Sequence, residues 1–195
     1  MKQPIGVEGF EALFASDPDP WDYRTSRFER HKRGILMRAV GQRMFGRGLE
    51  LGCANGETTS FLARKCLRLT AVDGSETALE QAWIRHADSP RVRLEQAILP
   101  ERTPRGPFDL IVTSEVLYYL RENELRDMLS LLKKAVALGG RLVFLHHHRD
   151  FDDVSMKPFL LTARLHDLMD DSHRLVFRHR SSRFEALAFD RIKMA

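Results

Sequence analysis

The sequence predicts an α/β protein built on a seven-stranded, mostly parallel sheet with an antiparallel last strand and an N-terminal helical segment. Three observations carry this reading. From residue 48 onward, short apolar runs alternate with helical patterns, the signature of strands joined by crossover helices. The first of these runs leads into LELGCANGETT at 49–59, where Glu50, Gly52 and Gly56 precede a helix start. The last two strand-like runs have no helix between them, so they are expected to pair as an antiparallel hairpin at one edge.

Taken in order, the first 40 residues read as a short helix over 8–14 and a longer one over 26–40, separated by SDPDPW. Asp17-Pro18 and Asp19-Pro20 force turn or extended geometry, because a residue before proline avoids the α region. Leu49-Glu50-Leu51 is the first strand, with a helix over 58–65. A strand over 67–72 follows, then a helix over 76–87 with Ala78, Leu79, Ala82 and Trp83 on one face. The third strand covers 92–96 and the fourth, a buried run, 108–113. A helix over 122–137 is expected to end at Gly139-Gly140, before a fifth strand at 142–145 and a helix over 158–169. Strands at 174–179 and 184–192 close the chain. The whole, 1–195, reads as one domain, with a helical lid at 1–40 and a core at 48–195.

Composition narrows the function classes. The chain is 43% hydrophobic and 30% charged, as in water-soluble globular proteins, and no segment approaches the ~20 apolar residues of a membrane span. The net charge is +4, but the basic residues, among them Arg24, Arg27, Lys32, Arg174, Arg178, Arg180 and Arg183, are scattered rather than clustered. That favours a solvated surface over a nucleic-acid patch. Cys53 and Cys66 have neither the number nor the spacing of a disulfide framework or a zinc site. The opening MKQPIGVEGFEALF lacks the apolar core of a signal peptide, so a cytoplasmic location and no membrane contact are expected.

In an open parallel sheet, ligands bind beyond the carboxyl ends of the strands where strand order reverses. The glycine loop lies there, and its missing Cβ atoms let a ligand approach the backbone. Asp73 ends the second strand about 20 residues further on, where a carboxylate accepts hydrogen bonds from ribose hydroxyls. Together they indicate a nucleoside-containing cofactor. A dinucleotide site uses G-x-G-x-x-G, whereas here Ala54 replaces the middle glycine and Glu50 adds a carboxylate. An acid at that place suits a cationic ligand, such as S-adenosylmethionine with its amino group and sulfonium, better than a pyrophosphate.

These residues resemble the class I S-adenosylmethionine-dependent methyltransferases, a Rossmann-like fold whose first motif is E-x-G-x-x-x-G. More narrowly, the chain resembles the nodulation protein S family of small methyltransferases. The segments that carry the likeness are DPDPWDYRTSRFERHKRGIL at 17–36, LELGCANGETTSFLA at 49–63, AVDGSETAL at 71–79, FDLIVTSEVLYYL at 108–120 and GGRLVFLHHHR at 139–149. The resemblance implies that Glu50, Gly52, Cys53 and Gly56 line the methionine moiety and that Asp73 holds the ribose. It places Gln96 and Ala97 beside adenine, with Ile98 where related sequences often carry an acid. Trp21 and Tyr23 are expected in a lid over the cofactor, with Arg30 or Arg33 facing its carboxylate.

For the acceptor, the resemblance places Glu115 above the methyl group. The chain has Ser114-Glu115-Val116-Leu117 where amino-methylating nucleic-acid enzymes of the superfamily tend to carry N/D-P-P-Y. Tyr118 and Tyr119 are expected to wall the pocket. In His146-His147-His148, side-chain alternation points His146 and His148 one way and His147 the other. A metal needs further convergent ligands, and no metal site is expected. Similar family members often have histidine at the places of His146 and His166, which makes them, with Glu115, candidates for substrate contact and proton transfer. The expected activity is methyl transfer from S-adenosylmethionine to a small-molecule or oligosaccharide acceptor, preferably at an amine nitrogen. A nucleic-acid methyltransferase and a noncatalytic cofactor-binding module are the competing readings.

Overall fold

A computed structural model describes residues 4–150, 152–168 and 172–193. Its strands are β1 (Phe45–Leu51), β2 (Cys66–Asp73), β3 (Val92–Gln96), β4 (Phe108–Ser114), β5 (Val136–His147), β6 (His173–Arg180) and β7 (Phe184–Arg191). Its helices are α1 (Val7–Ser16), α2 (Arg27–Val40), α3 (Thr59–Leu62), α4 (Glu76–His86), α5 (Glu122–Ala135) and α6 (Pro158–Leu168). The strands form one sheet in the order β3-β2-β1-β4-β5-β7-β6. All pairings are parallel except those of β7, which runs antiparallel to both β5 and β6. The sheet and its closing hairpin match the sequence expectation.

Alternation along the strands sends side chains into two cores. Leu49, Leu51, Ile111, Leu142, Phe144 and Leu187 face α5 and α6, meeting Leu125, Met128, Leu129, Leu132, Leu161 and Leu165. Leu110, Val112, Val143, Leu145, Ala186 and Ala188 face α2, meeting Ile35, Leu36, Ala39 and Val40. Burial on both faces is why β4 reads as a continuous apolar run. Arg141 locks α2 to the sheet: it pairs with Asp190 at 2.7 Å and donates to the carbonyls of Ala39 and Val40 at 3.1 Å.

Three details differ from the sequence expectation. The Gly139-Gly140 pair does not end α5. The helix stops at Ala135, Val136 starts β5 at once, and the glycines sit inside the strand where its pairing with β4 shifts between Phe108 and Leu110. A Cβ on Gly140 would stand 2.8 Å from the Ala137 carbonyl oxygen, so the glycine permits a kinked strand segment. The helix over 58–65 shrinks to the four residues of α3, and Leu117–Tyr119 forms a 3₁₀ turn between β4 and α5. Met169, expected at the end of α6, lies outside the described residues.

The first 40 residues divide in two. Helix α2 starts at Ser26, whose hydroxyl accepts the Glu29 N–H, and it belongs to the layer covering the sheet. Helix α1 lies across the sheet's carboxyl end, where Glu11 accepts hydrogen bonds from the Ser75 hydroxyl at 2.7 Å and the Thr77 N–H at 3.2 Å. Strand order reverses between β1 and β4, which opens the crevice beneath α1.

Candidate active site

The loop after β1 enters the crevice through positive φ angles at Gly52 (+70°), Ala54 (+49°) and Gly56 (+77°). The two glycines do different jobs. A Cβ on Gly52 would meet Val116 at 3.0 Å at the cavity wall, whereas one on Gly56 would meet Ala82 and His86 of α4. Gly56 therefore packs the loop onto α4 instead of facing the cavity. Asn55 staples the loop to the proline-rich break, donating to the Pro18 carbonyl and to Asp19, each at 3.2 Å.

Two carboxylates flank the loop. Glu50 is buried and accepts the Thr59 hydroxyl at 2.6 Å. Burial, reinforced by the charge of Asp73, pushes it up to about 8 against the pull of that hydrogen bond. Asp73, at the end of β2, accepts the N–H groups of Ala54 at 2.8 Å and Ser75 at 3.0 Å. Burial raises its pKa, and the backbone donors oppose the rise.

A cavity of about 650 Å³ runs from Asp73, Ala97, Ile98 and Leu99 past Gly52 to Glu115 and His147, roofed by Phe10, Phe14 and Trp21. A narrow inner chamber of about 40 Å³ continues between Arg33, Glu50, Cys53 and Asn55. Tyr23, Lys32, Gly52 and Glu115 border both spaces. Trp21 packs its ring against Phe14 and Tyr23 at 5.6 Å. Arg33 donates to the Tyr23 carbonyl at 3.2 Å and pairs with Glu57 at 3.4 Å.

At the junction of the two spaces, Glu115 adopts φ +59°, the left-handed region that a non-glycine residue enters at a cost of about 1–3 kcal/mol. The surroundings impose it. The Glu115 N–H bonds the Leu145 carbonyl at 2.9 Å, and its carboxylate accepts the Tyr118 hydroxyl at 2.8 Å and the His147 N–H at 3.0 Å. Lys32 Nζ lies 2.8 Å from the same carboxylate, 2.9 Å from Glu29 and 3.2 Å from His147 Nε2. The side chains of Lys32 and Glu115 are only 7% and 14% exposed. A pair so deep in the protein persists because each charge is met by several partners, and breaking it costs about 3–5 kcal/mol.

The structure brings together most, not all, of the residues singled out from sequence. Trp21, Tyr23, Arg33, Glu50, Gly52, Cys53, Asp73, Ala97 and Glu115 border the two spaces. Arg30 is exposed and donates to the Thr25 carbonyl, so of these two arginines it is Arg33 that borders the crevice. Gln96 is exposed with its amide on the Gly74 carbonyl; the wall beyond β3 is Ala97, Ile98 and Leu99. His146 points to the α6 side, where its Nε2 lies 2.8 Å from the Thr162 hydroxyl, and burial pushes it down to about 4. His166 is exposed with its ring against Phe189.

The histidine in the crevice is His147. Sequence reasoning also passed over Lys32 and Glu29. Lys32 stands in the stripe Phe28, Lys32, Ile35, Leu36 and Ala39 that α2 turns toward the sheet. A cation at an apolar position of an amphipathic helix is a legible signal of a buried partner.

The strand order, with β7 running antiparallel between β5 and β6, defines a class I methyltransferase fold. The crystal structure of N-methyltransferase NodS from Bradyrhizobium japonicum WM9, in complex with S-adenosyl-L-homocysteine, superposes with a TM-score of 0.79 at 27% identity, covering 96% of this chain and 98% of that one. Residues 11–151 match the family model of nodulation protein S (NodS), and the chain belongs to that family. A putative methyltransferase from Pseudomonas syringae is 32% identical, with a TM-score of 0.73 over 85% of this chain and all (100%) of that one. The nodulation protein S of Rhizobium tropici is 34% identical over 128 residues, 65% of this chain. The chain spans about half the length of that curated relative, 54%.

Proposed function

We propose that this chain transfers the methyl group of S-adenosylmethionine to an amine nitrogen of a small or saccharide acceptor. The observation that carries the reading is Glu115: a strained carboxylate, fixed by Lys32 and Tyr118, at the junction between the glycine-loop chamber and the larger cavity. The likeness to a crystallised N-methyltransferase supports the same choice of nitrogen.

The chamber and the adjoining cavity together fit the cofactor. Glu50 is an acid that burial pushes up to about 8, and the amino group of the methionine moiety brings a positive charge to pair with its ionised form. Arg33 faces the methionine carboxylate, and Asp73 keeps carboxylate lone pairs free of its two backbone donors for the ribose hydroxyls. Ala97, Ile98 and Leu99 flank the adenine. Bound there, the cofactor supplies a methyl group already activated on sulfur. The protein's part is to align the acceptor and exclude water, the latter through Trp21, Phe10 and Phe14. Glu115 holds the acceptor ammonium and takes its proton. Cys53 and Cys66 are free and buried, in keeping with a cytoplasmic location. Among the described residues no helix is long and apolar enough to cross a membrane.

The test is a transfer assay with methyl-labelled cofactor over amino sugars, deacetylated chitooligosaccharides, small amines and hydroxylated controls. The expected result is label on an amine with matching release of S-adenosylhomocysteine. Label only on oxygen would overturn the preference for nitrogen. Stoichiometric cofactor binding with no transfer to any acceptor would make the chain a binding module.

A further inference from the structure

His146 and His148 lie on the face of the sheet opposite His147, away from the crevice. They stand two residues apart on one strand and its extension, with rings parallel to within 7° at 6.0 Å. Directly across the ladder, Glu185 of β7 is the register partner of His146. One ligand atom from each of these three residues lies within 4.8 Å of the other two. Glu185 is 0% exposed and His146 1%, while the His148 side chain is 14% exposed, so a carboxylate and two imidazoles converge at the buried end of a group that reaches the surface through His148.

Hydrogen bonding within the group is incomplete. Arg178 donates to Glu185 Oε1 at 2.7 Å, and the Thr162 hydroxyl to Oε2 at 2.6 Å. His148 Nε2 sits 3.6 Å from Oε2, beyond hydrogen-bond reach, and this buried nitrogen has no hydrogen-bond partner. Buried polar atoms are nearly always satisfied, so one aimed at a buried carboxylate calls for an explanation. An arginine that occupies one carboxylate oxygen and orients the other toward two histidines is the outer arrangement of a ligating carboxylate.

We propose that His146, His148 and Glu185 form a binding site for a divalent transition-metal ion of the zinc or cobalt type. Two imidazoles and a carboxylate suit that class of ion, whereas calcium and magnesium prefer oxygen alone. Ligand atoms about 2.0–2.1 Å from one ion in tetrahedral geometry stand roughly 3.4 Å apart. The present spread of up to 4.8 Å therefore closes by side-chain rotation, with the Thr162 hydroxyl giving way or serving as a further ligand. The ion ties β5, β7 and α6 together at the point where the His147 N–H reaches Glu115. The role is structural and independent of the methyl-transfer reading.

The experiment uses the full, tag-free chain stripped by chelator, with Co²⁺ followed by its visible absorption and Zn²⁺ by calorimetry and melting temperature. The expected result is one equivalent of either ion, tetrahedral-type Co²⁺ bands and a rise in melting temperature. His148→Ala, chosen because its side chain is the least buried of the three, weakens binding more than about 100-fold, since loss of an outer partner alone costs 10–100-fold. His166→Ala, on the same helix as Thr162 but outside the group, leaves binding unchanged. Binding that survives in His148→Ala with the fold intact by circular dichroism, binding lost in His166→Ala, or no binding by the parent chain would each overturn the proposal.

Discussion

At the scale of single residues, the proposed function gives the Glu115 carboxylate the chemistry and Glu50 the cofactor's charge, and the two are separable by experiment. Glu115→Gln keeps the shape and the Tyr118 contact but removes the charge proposed to hold and deprotonate an ammonium. We expect kcat to fall by about 10²–10⁴-fold, the usual effect of losing a general base, while S-adenosylhomocysteine affinity stays within about threefold. The measurement is kcat alongside calorimetric affinity, and an unchanged kcat on a verified acceptor removes Glu115 from catalysis.

Glu50 makes a prediction about protons. Its folded pKa, about 8, is raised above the ordinary 4.5, so the stability its protonated form contributes is full below 4.5 and is lost as pH rises through 8. The cofactor-free protein is therefore expected to lose melting temperature between about pH 5 and 8, and Glu50→Gln to lose less. Binding a cationic amino group favours the ionised form, so S-adenosylmethionine binding at neutral pH releases close to one proton. Calorimetry in buffers of differing ionisation enthalpy reads this directly. Zero release would mean that Glu50 does not meet the cofactor's charge.

At the scale of elements, the cover over the crevice is made by α1 and the 17–26 segment, both fastened to the core by hydrogen bonds. Glu11 fastens α1 by accepting from Ser75 and Thr77 at the start of α4, where a carboxylate also complements the helix dipole. Asn55 fastens the 17–26 segment. Glu11→Ala is expected to cost about 1 kcal/mol of stability, as for a lost cap, and to weaken S-adenosylhomocysteine about tenfold by loosening the roof. Hydrogen exchange over 5–26 is expected to slow on ligand addition in the parent chain and to slow less in the variant. Equal exchange with and without ligand would make this region a fixed wall.

The same elements show what was legible in the sequence. β3 carried its full extent in the local pattern, and β1, β2 and β4 their cores, because alternation and apolar runs are local signals. The glycine pair at 139–140 misled because glycine also ends helices, and only the pairing of β5 with β4 reveals that it sits inside a strand. The grouping of 1–40 as one lid failed to separate α2, whose apolar stripe faces the sheet. Of the site, Glu50, Gly52 and Asp73 were readable because each is tied to the end of a strand. His147 was passed over in favour of His146 because alternation shows that neighbours diverge but not which of them faces the crevice. Besides their near neighbours, Lys32 and Glu185 meet groups far along the chain, Glu115 at 83 residues (115 − 32) and His148 at 37 (185 − 148), which no local pattern supplies.

At the scale of the whole molecule, the crevice is assembled from α1, α2, β1, β2, β4 and β5, so a ligand bridging these elements stabilises the fold as a unit. Arg141, which joins α2 to β5 and β7, couples the Lys32 side of the site to the sheet without touching the cavity. At a ligand concentration about 100 times Kd the stabilisation is about 2.7 kcal/mol. For a chain of this size each kcal/mol moves Tm by roughly 2–4 °C, so S-adenosylhomocysteine is expected to raise Tm by about 5–10 °C in a single calorimetric transition. On the proposed reading, Asp73→Ala is expected to lose charge-assisted hydrogen bonds to the ribose worth roughly 1–3 kcal/mol, which weakens binding about 10- to 100-fold. At the same ligand concentration its stabilisation falls to about 0.4–1.4 kcal/mol and its Tm shift to about 1–5 °C. Equal shifts in parent and variant would take Asp73 out of the site. A second transition that alone fails to move with ligand would show that part of the molecule folds apart from the crevice.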